Sequence, residues 1–129
     1  MAGTLFTKTH EWVKLNGDIA TVGLSDYAQG ELGDIVFVEM PEVDEEVDAE
    51  DSIGSIESVK TVSDYYAPLT GQITELNETL EDTPELLNEE PMTDGWIFKM
   101  KISDKDEIED LMDEKDYKDY LRELQEEGE

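Results

Sequence analysis

The sequence has no cysteine, a single histidine and, across 129 residues, only 9 Lys and Arg against 36 Asp and Glu. Without cysteine there is no disulfide, no thiolate nucleophile and no Cys-ligated metal. His10 alone would have to serve any catalytic triad, and no Gly-x-Ser-x-Gly elbow accompanies it. A structural role is expected for it, close to Trp12 at the start of a strand. The net charge of −27 argues against nucleic acid, which is bound through a basic stripe that displaces condensed counterions. Anionic membrane surfaces are disfavoured for the same reason. No apolar run approaches about 18 residues, the length of a membrane-spanning helix. A glycine-rich phosphate loop is also missing. The run Asp44-Glu45-Glu46-Val47-Asp48-Ala49-Glu50-Asp51 lacks the glycine and spacing of an EF-hand loop, so it reads as a solvated charge run with at most weak divalent-ion binding. Met1-Ala2-Gly3-Thr4 shows no basic n-region, apolar h-region or Arg-rich presequence. A cytoplasmic protein is expected, with a mature organellar form as the alternative.

What is present is enough apolar side chain, 37% of residues, to build one core in a single domain over residues 1–129. The acid is spread through the whole chain: residues 104–129 carry 13 acidic and 4 basic side chains, and residues 1–103 carry 23 and 5. Such a chain repels itself. Salt screens that repulsion, with a Debye length of about 8 Å at about 0.15 M and less in brine, so a salt-rich cytoplasm and an unusually soluble protein are both consistent with the composition.

Several segments carry strand signals. Glu11–Leu15 and Asp18–Val22 flank Asn16-Gly17, predicting a β-hairpin closed by a type I′ turn. Ser25 to Leu32 predicts a short helix, capped by Ser25 and stopped at Gly33. The β-branched and aromatic run 34–40 predicts a strand ending at Pro41. Residues 52–76 are again strand-like, with a turn at Ala67-Pro68-Leu69-Thr70-Gly71. Pro84 and Pro91 bracket an acidic connector, and 96–102 alternates as a strand with one wet face. The period then changes. Ile108, Leu111 and Met112 fit one helical stripe; Tyr117, Tyr120, Leu121 and Leu124 fit a second after a phase break near Asp113. This C-terminal helical segment, 104–126, is expected to pack on the sheet, with Asp104 and Glu107 as a capping pair.

One residue stands out by rarity. Residues 15–98 hold 22 acidic side chains and a single basic one, Lys60. It sits in Glu57-Ser58-Val59-Lys60-Thr61-Val62-Ser63-Asp64, between two strand-like halves, so a hairpin tip is expected. Its neighbours are not apolar enough to prepare the amine for Schiff-base chemistry. An ordinary solvated lysine and a covalent attachment point are the two readings of the residue itself.

The chain resembles the H proteins of the glycine cleavage system, a lipoyl-carrier family, from about Phe6 to Tyr120. The matching elements are His10-Glu11-Trp12-Val13, then 32–38 (Leu-Gly-Asp-Ile-Val-Phe-Val), then Glu57-Ser58-Val59-Lys60 with Ser63-Asp64, then Pro68 and Gly71. Asn77, Pro84-Glu85-Leu86, Asn88, Pro91 and Gly95-Trp96 continue the pattern in order. Each piece is weak alone, and the ordered set is highly specific. Biotinyl proteins and acyltransferase lipoyl domains flank their lysine differently, with Met or with Asp-Lys-Ala. The family usually has glycine after Pro-Glu-Val and again in the following turn, where this chain has Asp44 and Ala49-Glu50.

The resemblance implies a mainly β fold of lipoyl/biotinyl type, a flattened β-barrel or sandwich of two antiparallel sheets with short helices and a C-terminal helical segment. It implies lipoic acid in amide linkage on Lys60, with Glu57, Ser58 and Val59 completing the attachment motif. It also implies a non-catalytic shuttle that carries the aminomethyl group of glycine from a pyridoxal-phosphate glycine decarboxylase to a tetrahydrofolate-dependent aminomethyltransferase, with reoxidation by dihydrolipoyl dehydrogenase. A lipoate ligase or lipoyltransferase would install the group, and a monomer is expected. By motif position Glu11, Asp64 and Thr9 are candidate contacts for the loaded arm, whose amine would be cationic; ordinary solvation at a turn or strand edge is the alternative for Glu11 and Asp64. A lipoyl relay that donates lipoyl groups to other enzymes, or an acidic interaction protein, are the competing functions.

Overall fold

The computed structural model describes residues 3–127. Met1 and Ala2, read above as part of a segment without leader features, lie outside the described residues. The strands are β1 (Leu5–Phe6), β2 (Glu11–Asn16), β3 (Ile19–Leu24), β4 (Ile35–Glu39), β5 (Glu46–Val47), β6 (Ser52–Ser58), β7 (Val62–Tyr66), β8 (Gly71–Leu76) and β9 (Phe98–Ile102). The helices are α1 (Asp26–Leu32), α2 (Thr79–Asp82), α3 (Leu86–Glu89) and α4 (Glu114–Glu127), with a 3-10 helix over Lys105–Asp110 before α4.

The β2–β3 hairpin forms where the sequence places it, but its turn differs from expectation. Asn16 ends β2 opposite Ile19, so the two-residue loop is Gly17-Asp18, and within it only Gly17 has positive φ, 64°. Glycine at the first central position is the requirement of a type II′ turn, whereas type I′ needs positive φ at both. Helix α1 follows the sequence reading: the Ala28 amide donates to Ser25 Oγ at 3.2 Å, and Gly33, at φ 83°, ends it.

Two antiparallel sheets form, of order β1-β2-β3-β9-β8-β5 and β4-β6-β7, and they do not close into a barrel. Their inner faces share one core, in which Val13, Val22, Ile73 and Met100 of the large sheet meet Ile35, Val38, Ile56 and Tyr65 of the small one. The Tyr65 and Phe98 rings, 6.4 Å apart, span the two layers. On the outer face of the large sheet, Lys14, Thr21 and Lys99 lie in one row across β2, β3 and β9. Lys14 caps the Trp12 ring at 4.8 Å, a cation–π contact.

That outer face carries a second core, where Phe6 and Trp12 pack with Tyr117 of α4. The Phe6 and Tyr117 rings stack at 4.2 Å, and Tyr120, Leu121 and Met112 close the edges. The C-terminal apolar stripes therefore pack on the fold, as expected, Ile108 and Leu111 joining the main core. The capping pair is realised only in part: Asp104 accepts from the Asp106 amide at 3.0 Å, while the Glu107 carboxylate is drawn away to the Thr70 amide and hydroxyl at 2.7 and 2.8 Å. Strand β5 lies inside the acidic run that read as solvated throughout; Val47, 5% exposed, anchors it. No helix among the described residues is long and apolar enough to cross a membrane.

Candidate functional site

Lys60 occupies the tight turn between β6 and β7, and Ser58 builds that turn. Ser58 is buried; its amide donates to the Thr61 carbonyl at 2.8 Å, and its Oγ accepts from the amides of Lys60 and Thr61 at 3.3 and 3.1 Å. The Val59 amide donates to the Asp34 carbonyl at 3.0 Å, tying the turn to the start of β4. The main chain on both sides of the lysine is thus held while the side chain stays exposed. Its stem lies over Gly33, where an added Cβ would stand in ordinary van der Waals contact, 3.4 Å from Lys60 Cε; it is the φ of 83° that calls for glycine. No ion pair involves Lys60 among the described residues. Within the attachment motif, Ser58 shapes the backbone, Val59 is 70% exposed beside the lysine, and Glu57 is exposed between Phe37 and Val62 on the neighbouring strands.

The three candidate arm contacts divide. Glu11 is 1% exposed, which removes plain solvation as its role. Its Oε1 accepts from the Thr7 and Thr9 hydroxyls at 2.6 and 2.5 Å, and its Oε2 accepts from the Tyr66 amide at 3.1 Å. Burial raises its carboxyl from the usual 4.5 to about 7, against the lowering effect of those hydrogen bonds. Thr9 is exposed, and its bond to Glu11 makes it the outward end of a short relay. Both Thr7 and Thr9 line a cleft of about 690 Å³ that Tyr66, Pro68 and Leu111 also border. Asp64 is exposed on β7 opposite Ser55, two residues before Tyr66 and so on the same side of the strand. The structure thus joins Thr9 to Glu11 and brings both to β7, while Asp64 stands apart from them along that strand. Thr7, and the place of Gly33 beneath the lysine stem, escaped the sequence reading, since neither shows until the chain is folded.

His10 takes the structural role expected of it. Its Nδ1 lies 2.8 Å from the Tyr117 hydroxyl, which also meets Ser25 Oγ at 2.7 Å. Burial lowers the imidazole below its ordinary value, opposed by the nearby Glu31 carboxylate. No cluster of His, Cys, Asp and Glu able to hold a metal occurs among the described residues.

An exposed lysine on a fastened hairpin, at the end of a two-sheet sandwich, suits the class of proteins that carry a covalently attached group. Residues 4–124 match the family model described as Glycine cleavage H-protein. The glycine cleavage system H protein of Vibrio cholerae is 57% identical over 113 residues, covering 87% of this chain and 90% of that one. That of Staphylococcus carnosus is 50% identical over 118 residues, covering 92% and 94%. The crystal structure of a glycine cleavage system H protein from Mycobacterium marinum superposes with a TM-score of 0.79 at 34% identity, over 94% of this chain and 95% of that one. The chain belongs to the glycine cleavage H-protein family. It is a lipoyl carrier of the glycine cleavage system, a non-catalytic component that works with the other members of that system.

Proposed function

We propose that Lys60 is the lipoyl attachment site, and that residues 1–129 act as one cytoplasmic, monomeric carrier domain. The observation that carries this reading is the fastened turn: Ser58 holds the amides of Lys60 and Thr61 and leaves the amine free in an otherwise acidic stretch. The amine attacks the acyl carbon of an activated lipoate, supplied by a lipoate ligase or lipoyltransferase; the new C–N amide bond replaces the bond to the activating group, which departs as the amine loses a proton. Once attached, the group supplies a dithiolane able to accept the aminomethyl unit at a pyridoxal-phosphate glycine decarboxylase, release it at a tetrahydrofolate-dependent aminomethyltransferase, and be reoxidised at dihydrolipoyl dehydrogenase. The chain contributes position. Tethering raises the local concentration of the carried unit, on the order of mM for a short flexible link. Thr9 offers a hydroxyl at the cleft with Glu11 behind it, and Asp64 offers an exposed carboxylate, both suited to a cationic amine.

Intact mass after incubation with lipoate, ATP and a lipoate ligase tests the attachment. The wild type is expected to gain one lipoyl group and Lys60→Ala none; a wild type that gains nothing, or a Lys60→Ala chain that still does, removes the reading. Glycine–bicarbonate exchange with the decarboxylase then tests the shuttle, which fails if lipoylated protein supports no exchange.

A further inference from the structure

The loop that brings Thr9 to Glu11 has histidine where glycine is usual. Strands β1 and β2 pair as far as Thr7 and Glu11, the Thr7 amide donating to the Glu11 carbonyl at 3.0 Å, so Lys8, Thr9 and His10 form a three-residue hairpin loop. His10 closes it. Its amide donates to the Thr7 carbonyl at 3.1 Å, and its φ is 75°, the left-handed conformation that ends such loops and that glycine adopts without strain. What histidine adds to the bend is its ring, whose Nδ1 lies 2.8 Å from the Tyr117 hydroxyl, itself 2.7 Å from the Oγ of buried Ser25. The ring packs with those of Tyr27 and Tyr120, centroids 4.8 and 6.1 Å away, and the Tyr120 hydroxyl donates to the Lys8 carbonyl at 3.3 Å. Two tyrosines of α4 therefore grip this loop, one by the His10 ring and one by the Lys8 main chain. Thr7, Lys8 and Thr9 line the cleft, whereas His10 and Tyr117 do not.

We infer that His10 and Tyr117 are positioning residues for the loaded arm: together they hold the 8–10 loop so that the Thr9 hydroxyl stays on the Glu11 carboxyl at the polar end of the cleft. The inference rests on the reading of Glu11 and Thr9 as arm contacts. Thr9 is exposed, and a hydroxyl on a short wet loop keeps its carboxyl partner only while the loop is held, because water competes for both groups. A site fixed before its ligand arrives spares the ligand the cost of ordering it. A left-handed conformation kept by a side chain that the bend itself does not require marks a constraint of this kind. Glu11 follows His10 directly and sends its own amide to Thr7 Oγ at 3.1 Å, so any shift of the His10 ring reaches the carboxyl and both of its hydroxyl partners at once.

The test follows how fast the loaded arm loses its aminomethyl unit to water. The lipoylated full chain is loaded with glycine and the decarboxylase, freed of the enzyme and read by intact mass over time. In the reaction observed the S–C bond breaks, water gives its oxygen to formaldehyde and its two protons to the sulfur and the nitrogen, and the nitrogen leaves as ammonium. Near-UV circular dichroism confirms that each variant folds; His10→Gly keeps the backbone conformation that the loop needs. His10→Gly and Tyr117→Phe are each expected to speed the loss roughly fivefold, the scale of one hydrogen bond. His10→Asn, which tolerates the left-handed region and carries a polar atom at the place of Nδ1, is expected to stay within about twofold of the wild type. In a Glu11→Gln background His10→Gly should add nothing, because what it positions is already gone. An unchanged rate in His10→Gly, an equal rise in His10→Asn, or an undiminished effect in the Glu11→Gln background overturns the inference while leaving Glu11 as an arm contact. A wild type that loses the unit as fast as Glu11→Gln defeats the arm-contact reading beneath it, and a wild type that takes up no lipoyl group defeats attachment itself.

Discussion

Asp44 and Glu50 hold φ angles of 75° and 74°, in the left-handed region where a Cβ crowds the following carbonyl. The resemblance puts family glycines at Asp44 and within the Ala49-Glu50 turn, and the backbone here holds a glycine-like conformation under acidic side chains. Their amides still donate to the Ile73 and Ala67 carbonyls at 2.8 and 2.7 Å, bonds that glycine would preserve. Asp44→Gly and Glu50→Gly should each stabilise the chain by up to about 1 kcal/mol, less at Asp44 because aspartate tolerates this region better; urea midpoints measure it, and a loss of stability would refute the strain. Glu11 offers a pH test. Its folded value of about 7 lies above the usual 4.5, so the folded chain binds that proton more tightly. Below about 4.5 both states hold it. Between about 4.5 and 7 only the folded state does, so this group's contribution falls as pH rises through that window, by on the order of 3 kcal/mol, and is flat above it. Relative to the wild type, Glu11→Gln should therefore gain stability from pH 4 to pH 8; a constant difference across a pH series of urea unfolding curves would show that burial does not govern this carboxyl.

Among the elements, α4 is tied to two others through one hydroxyl, in addition to its apolar packing. Tyr117 OH joins His10 Nδ1 and Ser25 Oγ, so it fastens α4 to the loop before β2 and to the cap of α1 at once. Tyr117→Phe keeps the ring stacked on Phe6 but leaves buried Ser25 without that partner, at a cost of about 1–3 kcal/mol. Faster amide exchange in α4 together with a lowered unfolding midpoint would show it, and an unchanged midpoint would refute it. The elements read best from sequence are those with local causes: the Ser25 cap, the Gly33 stop, the alternation of β2 and β3, and the turn that displays Lys60. Those missed have distant causes. Strand β1 is two residues long and is held by reciprocal bonds between Phe6 and Met112 at 2.8 and 2.9 Å, partners more than a hundred residues apart. Val47 turns inward among acids, which makes β5 invisible to composition. Glu107 abandoned its capping role because Thr70 offers two donors. At the site, Lys60 was legible through its rarity, whereas the burial of Glu11 beneath Thr7 and Thr9 was not, because strand alternation does not reveal which end of a sheet face is covered.

For the molecule as a whole, the four ion pairs among the described residues leave most carboxylates uncompensated, and three of the four lie within α4. Raising KCl from dilute buffer to about 1 M, where the Debye length is about 3 Å, should stabilise the fold by more than about 1 kcal/mol, or about 4 °C in Tm. Thermal melts that do not move with KCl would show that the repulsion is already relieved in the native state. The row of Lys14, Thr21 and Lys99 gives this charge a direction. Lys14 and Lys99 put positive charge on the outer face of the large sheet, beside the acidic α4, whereas the small sheet carries only Lys60, in its β6–β7 turn, whose positive charge amide formation would remove. With Lys60 acylated as proposed, the small sheet and its turn would hold carboxylates and no cation, leaving that end of the sandwich purely negative. Such an end would be drawn forward by a positively charged enzyme, so the β6–β7 hairpin would lead the approach.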